Sequence, residues 1–154
     1  MKLLLTLVAL VMLVASASAY HRFVEQEFQN SDDVFRYVTT GEHQIYILFI
    51  YDRKWAANEI RHPMKARYDL EKRDLLKVID RYGRNVHFSE IDVNSGDFTD
   101  LLQEMGIKTV DLDEYPVTVV IDDGHGAWVQ GPREYHRISQ IINDFIENPD
   151  SHSY

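Results

Sequence analysis

The sequence predicts an α/β domain: a mixed central β-sheet flanked by helices on both faces. Three observations carry this expectation. Two short runs, Ile45–Tyr51 and Val117–Ile121, are almost wholly apolar and rich in β-branched or aromatic residues, as strands buried on both faces must be. The long stretch between them holds helical periodicity. The second run is followed by turn residues, a short return strand and a final amphipathic stretch, so a β-α-β unit is joined to a β-β-α unit.

Taken in order, Phe23 to Phe28 offers a short edge strand. Asn30-Ser31-Asp32-Asp33 opens a helix with a capping side chain and acids in its first turn. Val34, Phe35 and Val38 form its apolar face, and Gly41 ends it. After the strand Ile45–Tyr51, the region from Trp55 to Tyr82 reads as helical through Ile60, Met64, Tyr68, Leu75, Ile79 and Tyr82, with a kink or break expected at Pro63. Val86 to Asp92 gives a weaker strand signal, alternating Val86, Phe88 and Glu90 with His87, Ser89 and Ile91.

Asn94-Ser95 is expected to cap a third helix, whose Phe98, Leu101, Leu102 and Met105 share one face and which stops at Gly106. Asp122-Asp123-Gly124-His125-Gly126 has hairpin chemistry, and Ala127 to Gln130 returns as a strand. Pro132 is expected to start the last helix, with Tyr135, Ile138, Ile141, Ile142 and Phe145 on one face and Pro149 closing it.

Composition narrows the function classes. The chain has 154 residues, a formal net charge of −9 and no cysteine. One domain of this length has room for a core of its own. Missing cysteine excludes disulfides, thiol catalysis, iron–sulfur clusters and cysteine-ligated zinc. The negative charge argues against nucleic acid, which needs clustered Lys and Arg.

Residues 1–19 have the form of a secretory signal peptide: Lys2, an apolar run from Leu3 to Val14, and the small-residue pattern Ala17-Ser18-Ala19. The run is shorter than the ~20 residues of a bilayer-spanning helix, which favours cleavage before Tyr20 over an uncleaved anchor. The expectation is a single domain over residues 20–154, secreted or resident in the endoplasmic reticulum lumen, with no stable membrane insertion after cleavage.

The order of elements and several local landmarks resemble the thioredoxin-like family over essentially the whole of residues 20–154. The strand Ile45–Tyr51 runs into a helix carrying Pro63. Ile91-Asp92-Val93-Asn94 leads into Phe98–Gly106 and Ile107. Tyr115-Pro116-Val117-Thr118 looks like the proline, typically cis, that opens a strand in this family, and Asp123-Gly124 followed by Val129 and Gly131 resembles its terminal hairpin.

The departures are informative. Counting back from Pro63, Trp55-Ala56-Ala57-Asn58 stands where the resemblance would place Cys-x-x-Cys, and the family's buried acid falls on Phe49. Without a thiolate there is no thiol–disulfide exchange. Relative to a minimal thioredoxin, the Trp55–Gly83 region is about two helical turns longer. The loop Gly106–Pro116 is also extended, bringing Asp111, Asp113 and Glu114 to the border of the groove.

The resemblance therefore implies a redox-inactive domain, like a protein disulfide isomerase-type domain without its motif, that binds a protein or peptide partner. The implied site comprises Trp55, Ala56, Ala57, Asn58, Tyr115, Pro116 and Gly131, modified by Asp111, Asp113 and Glu114. Trp55 is either an aromatic anchor for the partner or a packing residue. Tyr115-Pro116 either presents backbone to an extended peptide or defines a strand edge.

The seven histidines have no H-x-x-x-H or H-E-x-x-H spacing, and no hydrolase or phosphate-loop motif is present. No cofactor or metal is expected. The second reading is an acidic lumenal structural protein with weak calcium binding, although Asp122-Asp123-Gly124 lacks EF-hand spacing and suits a turn better.

Overall fold

The computed structural model describes residues 22–40, 44–54 and 63–147. The expected signal peptide, Gly41, Trp55-Ala56-Ala57-Asn58 and Pro149 lie outside the described residues. The elements in chain order are β1 (Val24–Glu25), α1 (Ser31–Val38), β2 (Ile45–Tyr51), α2 (Pro63–Ile79), β3 (Val86–Asp92), α3 (Thr99–Glu104), β4 (Val117–Asp122), β5 (His125–Gln130) and α4 (Tyr135–Glu147). They form one mixed five-stranded sheet in the order β1-β3-β2-β4-β5, with β4 antiparallel to β2 and to β5 and the other pairs parallel.

β2 lies at the centre, and all seven of its residues are buried. Its alternation divides the core in two. Ile45, Ile47, Phe49 and Tyr51 face α2 and α4, where they meet Leu75, Ile79, Ile138, Ile142 and Phe145. Tyr46, Leu48 and Ile50 face α1 and α3, where they meet Val34, Val38, Leu101 and Leu102. Each large apolar side chain so buried is worth about 1.5–3 kcal/mol, and that summed term holds the helices to both faces.

Three local expectations change. The helix after Asn94 starts at Thr99, and neither Asn94 nor Ser95 caps it. Ser95 Oγ instead donates to the carbonyl of Asp92 at 2.8 Å. The third amide of α3, Leu101 N–H, donates 3.1 Å to Ser31 Oγ, and Ser31 Oγ–H donates to the carbonyl of Asp97 at 3.1 Å. A side chain at the start of α1 thus does the capping from across the fold, while Asn30 caps α1 through Asp33 N–H at 3.0 Å.

The last helix begins at Tyr135, not Pro132, because Arg133 has a left-handed backbone, φ +64°, which a right-handed helix cannot include. The Arg133 amide points at Glu71 Oε1, 3.3 Å away. The Tyr115–Pro116 peptide, expected cis, is trans, since no described peptide bond is cis. Trans is the lower-energy form of an X–Pro bond unless its surroundings enforce the other. The hairpin expectation holds: Asp123 and Gly124 both have positive φ, +47° and +77°, as a two-residue type I′ turn requires.

His87, on β3, sits in an aromatic cluster with Tyr37 and Tyr46, and the Tyr37 hydroxyl lies 2.6 Å from its Nδ1. Burial holds its pKa below the ordinary 6.5. The unfolded chain therefore binds the proton more readily than the folded one, so stability falls as pH drops through about 6.5 towards the folded pKa. The expected result is a urea midpoint that declines over this window, with the decline weakened in His87→Gln.

Candidate functional site

Asp52 follows β2 directly and is only 2% exposed. Its Oδ1 accepts from Lys54 N–H at 3.0 Å and from Asn94 Nδ2 at 2.7 Å, and its Oδ2 lies 2.8 Å from Lys54 Nζ. Burial alone would raise its pKa, but the hydrogen bonds from Lys54 and Asn94 together hold it below the usual carboxylate range. Lys54 Nζ also lies 3.3 Å from Asp113 Oδ1, so it ties the end of β2 to the extended loop.

That loop is fastened at three further points. Lys108 N–H donates to Asp111 Oδ2 at 2.8 Å and tightens the 3₁₀ turn Thr109–Asp113. Arg67, on α2, donates to the carbonyl of Glu114 at 3.1 Å and stacks its guanidinium 4.8 Å from the centre of the Tyr115 ring. Gln130 Nε2, at the end of β5, donates to the carbonyls of Asp111 and Tyr115. Gly131 follows with φ +122°, a conformation reserved in practice for glycine.

The structure therefore brings together Asp111, Asp113, Glu114, Tyr115, Pro116 and Gly131, with Lys54, Arg67 and Gln130 as the pins between them. Sequence reasoning missed Arg67 and Gln130 as part of this corner. Of the backbone beside Pro116, which the sequence offered either to an extended peptide or to a strand edge, the Tyr115 carbonyl accepts from Gln130 Nε2 at 2.9 Å. Beneath the corner lies a void of only 10 Å³, lined in part by Phe49, Glu71, Pro116, Gly131 and Glu134. It holds about one water at most. Glu71 there is pushed up by burial, with Asp74 and Glu134 adding to the effect. Among the described residues the corner exposes one large apolar side chain, Val110 at 63% exposure, beside its acids.

A second polar constellation lies on the same, α2-covered face of the sheet, in a cleft of 520 Å³ lined by the segment Glu25–Gln29 and by residues of β3 and α2. Glu90 accepts from the Tyr68 hydroxyl and from Lys72 Nζ. Burial is the largest cause of the raised Glu90 pKa and of the lowered Lys72 pKa; burial first, then Glu90 and Asp92, raises that of Tyr51. A charge at a core-facing position of an alternating strand was the signal that could have found Glu90.

Lys72 and Glu90 are 31% and 26% exposed, which makes the pair costly to break and cheap to replace. Lys72→Met should lower stability by about 2 kcal/mol, and Lys72→Met with Glu90→Leu should restore most of it in urea unfolding. Additive losses would mean the pair is not coupled.

Among the described residues no group of three or more His, Cys, Asp or Glu could hold a metal ion. No described helix is long and apolar enough to cross a membrane.

No protein-family model matches the sequence, and no curated protein matches it. Solved structures do. Thioredoxin from Trypanosoma brucei brucei superposes with a TM-score of 0.55 at 12% identity, over 84% of this chain and 96% of its own. The fold is thioredoxin-like. Thioredoxin f from spinach chloroplast matches with a TM-score of 0.53 at 19% identity, over 80% of this chain and 85% of its own. A Malassezia sympodialis thioredoxin matches at 0.51 and 20%, over 79% and 89%. At such identities the likeness speaks for the thioredoxin-like fold alone. With no cysteine in that frame, the chain has no thiol of its own for disulfide exchange.

Proposed function

We propose that this chain is a redox-inactive thioredoxin-like domain of the secretory pathway that binds a protein or peptide, as a chaperone-like factor or as a subunit of a complex. The observation that supports this reading is the pinned corner. Lys54 bridges Asp52 and Asp113, Arg67 holds Glu114 and Tyr115, and Gln130 clamps the loop from below. A corner freed of redox chemistry but still fixed by these contacts is a preorganised surface, and preorganisation lowers the entropic cost of association.

Recognition in this reading runs through side chains: Trp55 as the aromatic anchor, together with Val110, Asp113 and Glu114. The signal-peptide form of residues 1–19 supports the assignment to the secretory pathway. The test is recovery of the endogenous protein under mild conditions, with lysine crosslinking, mass spectrometry and reading of its N-terminus. Crosslinks from Lys54, Lys65 or Lys108 to one recurring protein, and a start at Tyr20, are the expected result. Trp55→Ala should weaken that association with folding intact. Recovery as a free protein without recurring crosslinks would overturn the binding reading.

A further inference from the structure

We propose that the cleft beside β3 binds a linear aliphatic amine carrying two or more ammonium groups. The cleft shares no residue with the pinned corner, so this inference stands apart from the reading above. Its 520 Å³ is the size of a small-molecule site. Tyr51 and Phe88, both buried, give it an aromatic floor, with Leu76 of α2 and Phe28 beside them. Around that floor stand four carboxylates, Glu25, Glu27, Glu90 and Asp92, against two cations, Arg53 and Lys72. Lys72 is already taken up by Glu90 and by the Tyr68 hydroxyl.

Placement of the charges decides the shape of the ligand. Phe88, Glu90 and Asp92 alternate along β3 on its α2-facing side, so neighbours in this row stand about 7 Å apart. The register sets Glu25 beside Phe88 at one end of the row and Tyr51 beside Asp92 at the other. The negative charge therefore runs along a line on the order of 13 Å long. It does not converge on one ion, since among the described residues no group of three or more His, Cys, Asp or Glu could hold a metal. An extended chain answers it, with ammonium groups at the carboxylates and methylene stems over Phe88 and Leu76 between them. Two of the acids have capacity to spare. Asp92 Oδ1 accepts from the amides of Arg53 and Asn94 at 3.3 and 3.1 Å, while its Oδ2 has no hydrogen-bond partner among the described residues. The exposed Glu27 carboxylate has none there either. Burial first, then the charges of Glu25 and Asp92, raise the Glu90 carboxyl against the opposing pull of Tyr51 and Arg53. A bound polycation would relieve that repulsion.

Equilibrium dialysis of the purified chain against labelled spermidine tests this, at about 0.1 M salt, where screening confines each charge to ~10 Å. Saturable binding at one site is expected, weakening as salt rises. Glu27→Gln and Asp92→Asn should each raise the dissociation constant about three- to fivefold, and together about tenfold or more. Glu27 is exposed, so its variant keeps the test open should Asp92→Asn disturb the turn it holds. Asp100→Asn with Glu104→Gln removes two exposed acids from α3, on the other face of the sheet. That control pair should change the constant by less than about twofold. Competition with trilysine assigns the source: displacement of spermidine points to lysines of a peptide, and no displacement to a free polyamine. Absence of saturable binding would overturn the proposal, as would equal weakening by the α3 pair. So would displacement by magnesium chloride at matched ionic strength, which would mean a diffuse field in place of a site.

Discussion

Phe49→Asp, which installs the acid that the thioredoxin-like resemblance implies at this position, should cost more than about 4 kcal/mol and leave the chain largely unfolded at room temperature. Phe49 is 1% exposed and packs its ring against Tyr51 and Tyr68, with centroids at 6.2 and 5.5 Å. Shortening it leaves a cavity in the core on the α2 side of the sheet. The new carboxylate would also enter acidic surroundings: Glu90 is its partner in the β2–β3 register, and Glu71 and Glu134 line the small void it faces. The nearby ammonium of Lys72 is already held by Glu90. Phe49→Leu, which keeps most of the apolar volume, should lose much less. Urea unfolding of the two variants checks this; a loss below about 1 kcal/mol for the aspartate would mean that water enters the site.

Gly96→Ala is the second large effect, about 3 kcal/mol. A Cβ at this position would collide with the carbonyl oxygen of Gln29 and stand 3.1 Å from a ring carbon of Phe98. Backbone cannot swing aside as a side-chain end can. The collision would part the junction where Asn30 bridges to Asp97 and Ser31 N–H donates to the Asp97 carbonyl at 2.9 Å. Because the cap on α3 comes from Ser31, the variant should release the first turn of α3 along with the start of α1. Hydrogen exchange would show both helices loosening together, beyond the thermal shift itself. An unchanged melting temperature would show that the junction opens without cost.

The sheet was legible because its strands carry their own signal. Ile45–Tyr51 is buried on both faces, so it needs no partner to be recognised, and the Asp123-Gly124 turn states its geometry in two residues. What the sequence did not disclose depends on residues far apart in the chain. Asn94-Ser95 looks like a cap, yet the working cap is Ser31, which no local window includes. Pro132 is a good first residue for a helix, but Arg133, with its amide directed at Glu71, defers the start to Tyr135. The corner was half legible: Asp111, Asp113, Glu114, Tyr115, Pro116 and Gly131 do converge, while Arg67 and Gln130 make no pattern before α2 and β5 are placed. The Tyr68, Lys72 and Glu90 cluster escaped for the same reason, since Tyr68 and Lys72 lie on α2 and Glu90 on β3, and they meet it only after packing.

The central place of β2 has a consequence for how the chain is made. During synthesis the heptapeptide Ile-Tyr-Ile-Leu-Phe-Ile-Tyr leaves the ribosome well before β3, and longer still before β4, the two strands that cover its edges. Until both have emerged it is an uncharged, proline-free, strongly β-forming segment, the kind that stacks with its like in neighbouring nascent chains. Its yield in a cell should therefore be governed by holdase capacity and elongation rate, and slowing translation between Asp92 and Val117 should send more of the chain into inclusion bodies even though the finished protein is unchanged.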